Sequence, residues 1–260
     1  MISIEQLQLK RASVERRLKR DCSHDGPGAL SNGIGLAFAT CDCKLKWTVE
    51  VEAYEACIPV EFWHFDPKTI DTNCEVFSEV IEPWPTYENL ARCLPESGDR
   101  RGYGLFLEGE NGVGKTTFLA WICMQLIRNT QIQVYYTTTL RLIRDFKSTF
   151  GNTDVHAARE ARLSAMLGRP ILVIDELGKE SYKAGDSFSR RELETILRDR
   201  DEKKLPTLLG SNAGLDQIGK VPAQGGYGPT VFSLIRGNML EVMLEPGDKR
   251  AELGIQRSGM

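Results

Sequence analysis

The sequence predicts an α/β fold in which a parallel sheet is wrapped by helices. After Gly102, short apolar runs of strand character alternate with longer runs of helical periodicity. A glycine-rich stretch sits where one strand gives way to a helix, and two adjacent acids close a second buried run further on.

In order, GLFLEG reads as a buried strand, TTFLAWICMQLIRN as a helix and QVYYTTT as the next strand. LRLIRDFKSTF continues as a helix, PILVIDEL is an apolar run ending in acids, and PTLLGSN is another short buried strand. Strands that alternate with helices need crossover connections, which makes the sheet parallel. No internal repeat or low-complexity tract appears, so solenoid and linker readings drop out.

The segment before this domain has a different character. The first twenty residues carry Lys10, Arg11, Arg16, Arg17, Lys19 and Arg20, with Ile4, Leu7, Val14 and Leu18 at helical spacing. That pattern suits a basic helix packed on its own domain, and equally one that docks on a partner protein or on phosphates. Cys22, His24, Cys41, Cys43 and Cys57 then fall among glycines, as in a small module pinned by a metal ion. From residue 58 to 101 prolines and aromatics alternate irregularly, as in a connector lying on the next domain. The expected organisation is therefore residues 1–57 as an amino-terminal module, 58–101 as a connector and 102–260 as the α/β domain.

Composition bounds the function. The formal net charge is only -3, so any nucleic-acid contact must come from local basic stretches. No run reaches the roughly 18 apolar residues of a membrane span, and the start lacks the apolar core of a secretory signal, so a cytoplasmic protein without membrane contact is expected. Seven cysteines, several of them clustered, point to reduced thiols or metal binding and away from a disulfide framework.

The stretch Gly109-Glu-Asn111-Gly112-Val113-Gly114-Lys115-Thr116 fits G-x-x-x-x-G-K-[ST] after a strand and at the start of a helix. Its glycines let the backbone curl so that amides point at phosphate oxygens, and the helix start adds partial positive charge. Lys115 would reach the β- and γ-phosphates, Thr116 would place its hydroxyl on Mg²⁺, and Thr117 would lie near the next phosphate. A chance glycine-rich turn would not require this strand and helix around it.

Asp175 and Glu176 close the run Ile171–Ile174, at the strand edge where ligands bind in such sheets. By strand alternation the two carboxylates would face opposite sides, Asp175 holding Mg²⁺ through water and Glu176 polarising the attacking water. Asn212 ends another apolar run and would orient that water. In isolation, Ser211 or Asn212 reads equally well as a helix N-cap.

Taken together, the segments GENGVGKTT, RDFKSTFGNTD, ILVIDELGKE, LRDRDEKKLPTLLGSN and GNMLEVMLEPGDKR, in that order, resemble the DnaC/DnaI/IstB group of AAA+ ATPases, in particular bacterial and phage helicase loaders. The resemblance covers most of the chain. It implies a P-loop NTPase of AAA+ type that binds ATP or ADP, carries a small zinc-bearing amino-terminal domain, and associates with itself through AAA+ domains. The implied partners are a hexameric replicative DNA helicase, gripped by the amino-terminal region, and single-stranded DNA.

The resemblance also implies residue roles. Cys22-x-His24 and Cys41-x-Cys43, followed by AYEACIPVEFW, look like the zinc-bearing leader of such loaders, although both spacings are tighter than usual and Cys57, Cys74 and Cys93 are alternative ligands. Arg141, Arg144, Phe146 and Lys147 match the DNA-contacting helix, where basic groups neutralise phosphates and an aromatic stacks on a base. The same four residues equally suit a core Phe146 beside a solvated charged face. Loaders place an arginine finger shortly before the GN-x-L tail; Arg236 is the arginine at hand, one to three positions late. The resemblance leaves two other readings open, an IstB-like ATPase that assists a DNA transposase and a helicase-binding adaptor with little hydrolysis.

Overall fold

Five apolar segments pair into one sheet: β1 (Gly104–Glu108), β2 (Val134–Thr138), β3 (Ile171–Leu177), β4 (Thr207–Ser211) and β5 (Met239–Met243). The computed structural model of the chain describes residues 42–63, 104–130, 132–147, 160, 163–178, 187–221 and 226–244. The strand order is β2-β3-β4-β1-β5, and every neighbouring pair is parallel. β1 lies between β4 and β5 and is buried along its whole length, whereas β5 forms an edge with Leu240 and Met243 exposed.

The helices are α1 (Asp42–Glu55), α2 (Lys115–Thr130), α3 (Thr139–Lys147), α4 (Ser187–Glu202), α5 (Leu215–Ile218) and α6 (Pro229–Asn238). Strand pleating sends alternate side chains to opposite faces. Leu105, Leu107, Tyr136, Ile171 and Val173 join one core with α2, while Phe106, Tyr135, Leu172, Ile174 and Leu209 join a second with α4, α5 and α6. The result is a sheet between two helical layers, as expected from the alternating pattern.

Helix α2 explains why α1 belongs to this body. Phe118 to Met124 are buried without interruption, and a helix that is apolar all round needs cover on the side away from the sheet. Val49 and Ala53 of α1 supply it, with Ala56, Ile58 and Trp63 extending the same core. Each large apolar side chain so buried stabilises the fold by about 1.5–3 kcal/mol. Hydrogen bonds fix the join: Arg128 donates to the Trp63 carbonyl at 2.6 Å, and the Tyr136 amide donates to the Ala56 carbonyl at 2.7 Å. Val49, Ala53, Ala56, Ile58 and Trp63, on both sides of the boundary expected at residue 57, pack into the core of the sheet.

Arg200 of α4 closes the opposite end of the sheet. Its guanidinium is 1% exposed and donates to the Thr207 hydroxyl and to the carbonyls of Leu167, Arg169, Pro170 and Pro206. All five guanidinium N–H groups are thereby matched. Burial brings its pKa down to about 10, the neighbouring Asp199 opposing this, so it remains a cation at neutral pH. The clamp ties the lead-in to β3 to the lead-in to β4. Among the described residues no helix is long and apolar enough to cross a membrane.

Candidate nucleotide site

The glycine loop joins β1 to α2 at the carboxyl edge of the sheet. Gly112 and Gly114 take φ of 91° and 100°, values that side-chain-bearing residues rarely adopt, so the sequence places glycine where the loop turns. Val113 is buried and anchors the loop, Gly109 and Gly112 are half-buried, and Glu110 and Asn111 are exposed. Lys115 folds back along the loop, its Nζ donating to the carbonyls of Gly109 at 2.7 Å and Glu110 at 2.6 Å. Thr116 and Thr117, both half-buried, follow in the first turn of α2.

Asp175 on β3 meets this loop from the neighbouring side and is 2% exposed. The Thr116 hydroxyl donates to its Oδ2 at 2.7 Å, the Tyr136 hydroxyl to the same oxygen at 2.6 Å, and the Glu176 amide to Oδ1 at 2.7 Å. The Thr139 hydroxyl donates to the Asp175 carbonyl at 3.2 Å. Burial first, and then the Asp175 charge, push the Tyr136 hydroxyl pKa far up, so the phenol stays a donor.

Strand alternation does not govern Glu176, contrary to the sequence reading. Ile174 is level with Leu209 and Leu177 with Ser211, so two residues of β3 oppose Gly210 alone. This is a bulge, and Glu176 occupies it with φ of 62°, a left-handed conformation that costs a side-chain-bearing residue about 1 kcal/mol or more. The bulge also switches the face of the strand: Leu177 joins the second core, whereas strict alternation would put it with Ile171 and Val173. Gly210 is required opposite, because a Cβ there would lie 2.3 Å from Asp175 Oδ1.

The end of β4 is tied across the same edge. The Ser211 hydroxyl bonds the Leu177 carbonyl at 3.1 Å, and the Gly178 amide donates to the Tyr227 hydroxyl at 3.3 Å. Neither Ser211 nor Asn212 caps α5; the N-cap is Gly214, and the Leu215 amide donates to the Glu108 carboxylate at 2.9 Å. Asn212 is half-buried in the turn between β4 and α5.

Outside this cluster, Arg236 lies exposed in the last turn of α6, its guanidinium 5.7 Å from the Phe232 ring centre. On α3, Arg144 is exposed, Arg141 contacts the Cys57 sulphur at 3.7 Å, and Phe146 packs against the second core, the alternative that the sequence left open. Lys147 is the last residue of α3, with its side chain outside the described residues. Cys22, His24 and Cys41 lie outside the described residues, and of Cys43 only the backbone, within α1, is described. Among the described residues no group of three or more His, Cys, Asp or Glu side chains could hold a metal ion.

The residues present fit a magnesium nucleotide. A hydroxyl and a carboxylate are hard oxygen donors side by side, and the loop amides and Lys115 offer positive charge to phosphates at a helix start. Sheet order, glycine loop and the Thr116–Asp175 pair together define a P-loop nucleotide-binding fold.

Residues 100–224 match the family model described as IstB-like ATP binding protein. A stretch of 119 residues is 31% identical to the replicative helicase loader DnaI of Bacillus subtilis (strain 168); it covers 45% of this chain and spans 36% of that relative's length. Among solved structures, one of DnaI aligns with a TM-score of 0.55 at 21% identity, covering 74% of this chain and 94% of that one. The DnaC helicase loader aligns with a TM-score of 0.52 at 20% identity, covering 72% and 100%. A protein of Streptococcus pyogenes serotype M3 aligns with a TM-score of 0.55 at 18% identity, covering 76% and 97%.

Proposed function

We propose that this protein is an ATP-switched loader that binds a hexameric replicative DNA helicase and single-stranded DNA and deposits the helicase on DNA. The observation that carries the ATP part is the Thr116–Asp175 hydrogen bond beside the glycine loop, and the likeness to DnaI supports the loader part. Lys115 would release its two loop carbonyls to take the β- and γ-phosphates, with Thr116 and Asp175 holding Mg²⁺. The metal would supply neutralisation of phosphate charge.

Hydrolysis would follow the usual balance: water attacks the γ-phosphorus, the bond to the β–γ bridging oxygen breaks, and Glu176 takes the water proton. Asn212 would orient the water, and Arg236 of a neighbouring copy would steady the developing charge. Arg141, Arg144, Phe146 and Lys147 are proposed to meet single-stranded DNA, and Cys22, His24, Cys41 and Cys43 to hold zinc in a helicase-binding module.

Co-purification with the resident replicative helicase, dependent on ATP, tests the loader reading; no helicase retained with or without ATP contradicts it. The match to the IstB-like family model favours one alternative, an ATPase that assists a DNA transposase. Metal analysis of the purified chain separates the two readings: zinc near one equivalent supports the loader leader, and its absence supports the transposition reading.

A further inference from the structure

We infer that Tyr136 is a positioning residue that sets the Asp175 carboxylate for a divalent cation through the hydrogen bond from its hydroxyl. The inference rests on the nucleotide reading above and adds a residue that lies outside both the glycine loop and the acidic strand.

Three donors pin the Asp175 carboxylate at both ends, and two of them, Thr116 and Tyr136, share Oδ2. Thr116 belongs to the loop helix, and its hydroxyl, which bonds the acid here, would be a ligand of Mg²⁺ when the site is filled. Tyr136 comes from β2, the strand beside β3, and reaches Asp175 from level with Val173. It is 3% exposed and packed in the first core, where a phenol is usually hydrogen-bonded. Phenylalanine would fill the same core space; what the hydroxyl adds is a bond to the acid that also accepts from the loop threonine. The Tyr136 amide is itself held by the Ala56 carbonyl at 2.7 Å, which fixes the strand carrying the hydroxyl. Tyr136 thus keeps Asp175 aimed while Thr116 is free to exchange partners.

The test is binding of a fluorescent ATP analogue to the full chain, with Mg²⁺ varied and again in EDTA. A hydrogen bond to a charged group is worth about tenfold in an equilibrium, so Tyr136→Phe is expected to raise the Mg²⁺ concentration for half-maximal binding about tenfold and leave binding in EDTA within about twofold. Tyr136→Met, a second packing solution without a donor, is expected to give the same shift. In an Asp175→Ala background neither change should add anything, because Tyr136 acts through that acid. Wild-type Mg²⁺ dependence in either folded variant, or a further loss in the Asp175→Ala background, overturns the inference. Failure of the wild-type chain to bind the analogue at all sinks the nucleotide reading first, and this inference with it.

Discussion

Thr116 and Asp175 are 59 residues apart in the chain, and their side chains meet at 2.7 Å. One lies in the first turn of the helix after the glycine loop and the other follows the apolar part of β3, so the contact exists only because β4 alone separates β3 from β1 in the sheet. The proposed chemistry depends on that closure.

Glu176→Gln keeps the left-handed bulge and removes the proposed proton acceptor. ATP binding should stay within about threefold of wild type while turnover falls at least about a hundredfold, the lower bound for loss of a general base. Single-turnover hydrolysis with helicase and DNA present checks it, and wild-type turnover removes Glu176 from that role.

Gly210→Ala should act on the acid without touching the loop. The added Cβ would sit 2.3 Å from Asp175 Oδ1 and 2.8 Å from Leu119 Cδ1, so the carboxylate must leave its bond to the Glu176 amide. The expected cost is about 1–3 kcal/mol of stability together with weaker Mg²⁺-dependent ATP binding. Denaturant melts paired with nucleotide titrations read both effects, and a variant that keeps wild-type binding would show that Asp175 has room to move.

Arg200→Met should destabilise the chain by about 3 kcal/mol, because buried carbonyls at the starts of β3 and β4 lose their donor. In a chain of this size that corresponds to a drop of roughly 6–12 °C in melting temperature. Arg200→Lys should recover little, since an ammonium does not reproduce the planar fork. Differential scanning calorimetry decides, and an unchanged melt would mean that the clamp adds nothing net.

Much of this architecture was legible in the residues. The glycine loop between GLFLE and a long apolar helix, and the acids after ILVI, carry local signals, so β1, α2 and β3 fall where the sequence puts them. The bulge at Glu176 was not legible, because it shows only in the pairing of β3 with another strand, where Gly210 lies opposite. Tyr136 and Glu108 escaped for the same reason: their partners, Asp175 and Leu215, are brought to them by sheet order and by the chain's return after β4. Arg200 stands in the charged run RDRDEKK and reads as surface until four carbonyls and a hydroxyl close around it. One signal was available and unused: a helix apolar on all faces, as Phe118–Met124 is, requires a second cover, which α1 provides.

The most direct test is calorimetric titration of ATP with Mg²⁺ into the wild-type chain and into Lys115→Ala. The wild type should bind, and the variant, with an unchanged melting profile, should lose about a hundredfold in affinity as the charge-assisted phosphate contacts go. Equal affinity in the two proteins would contradict the account.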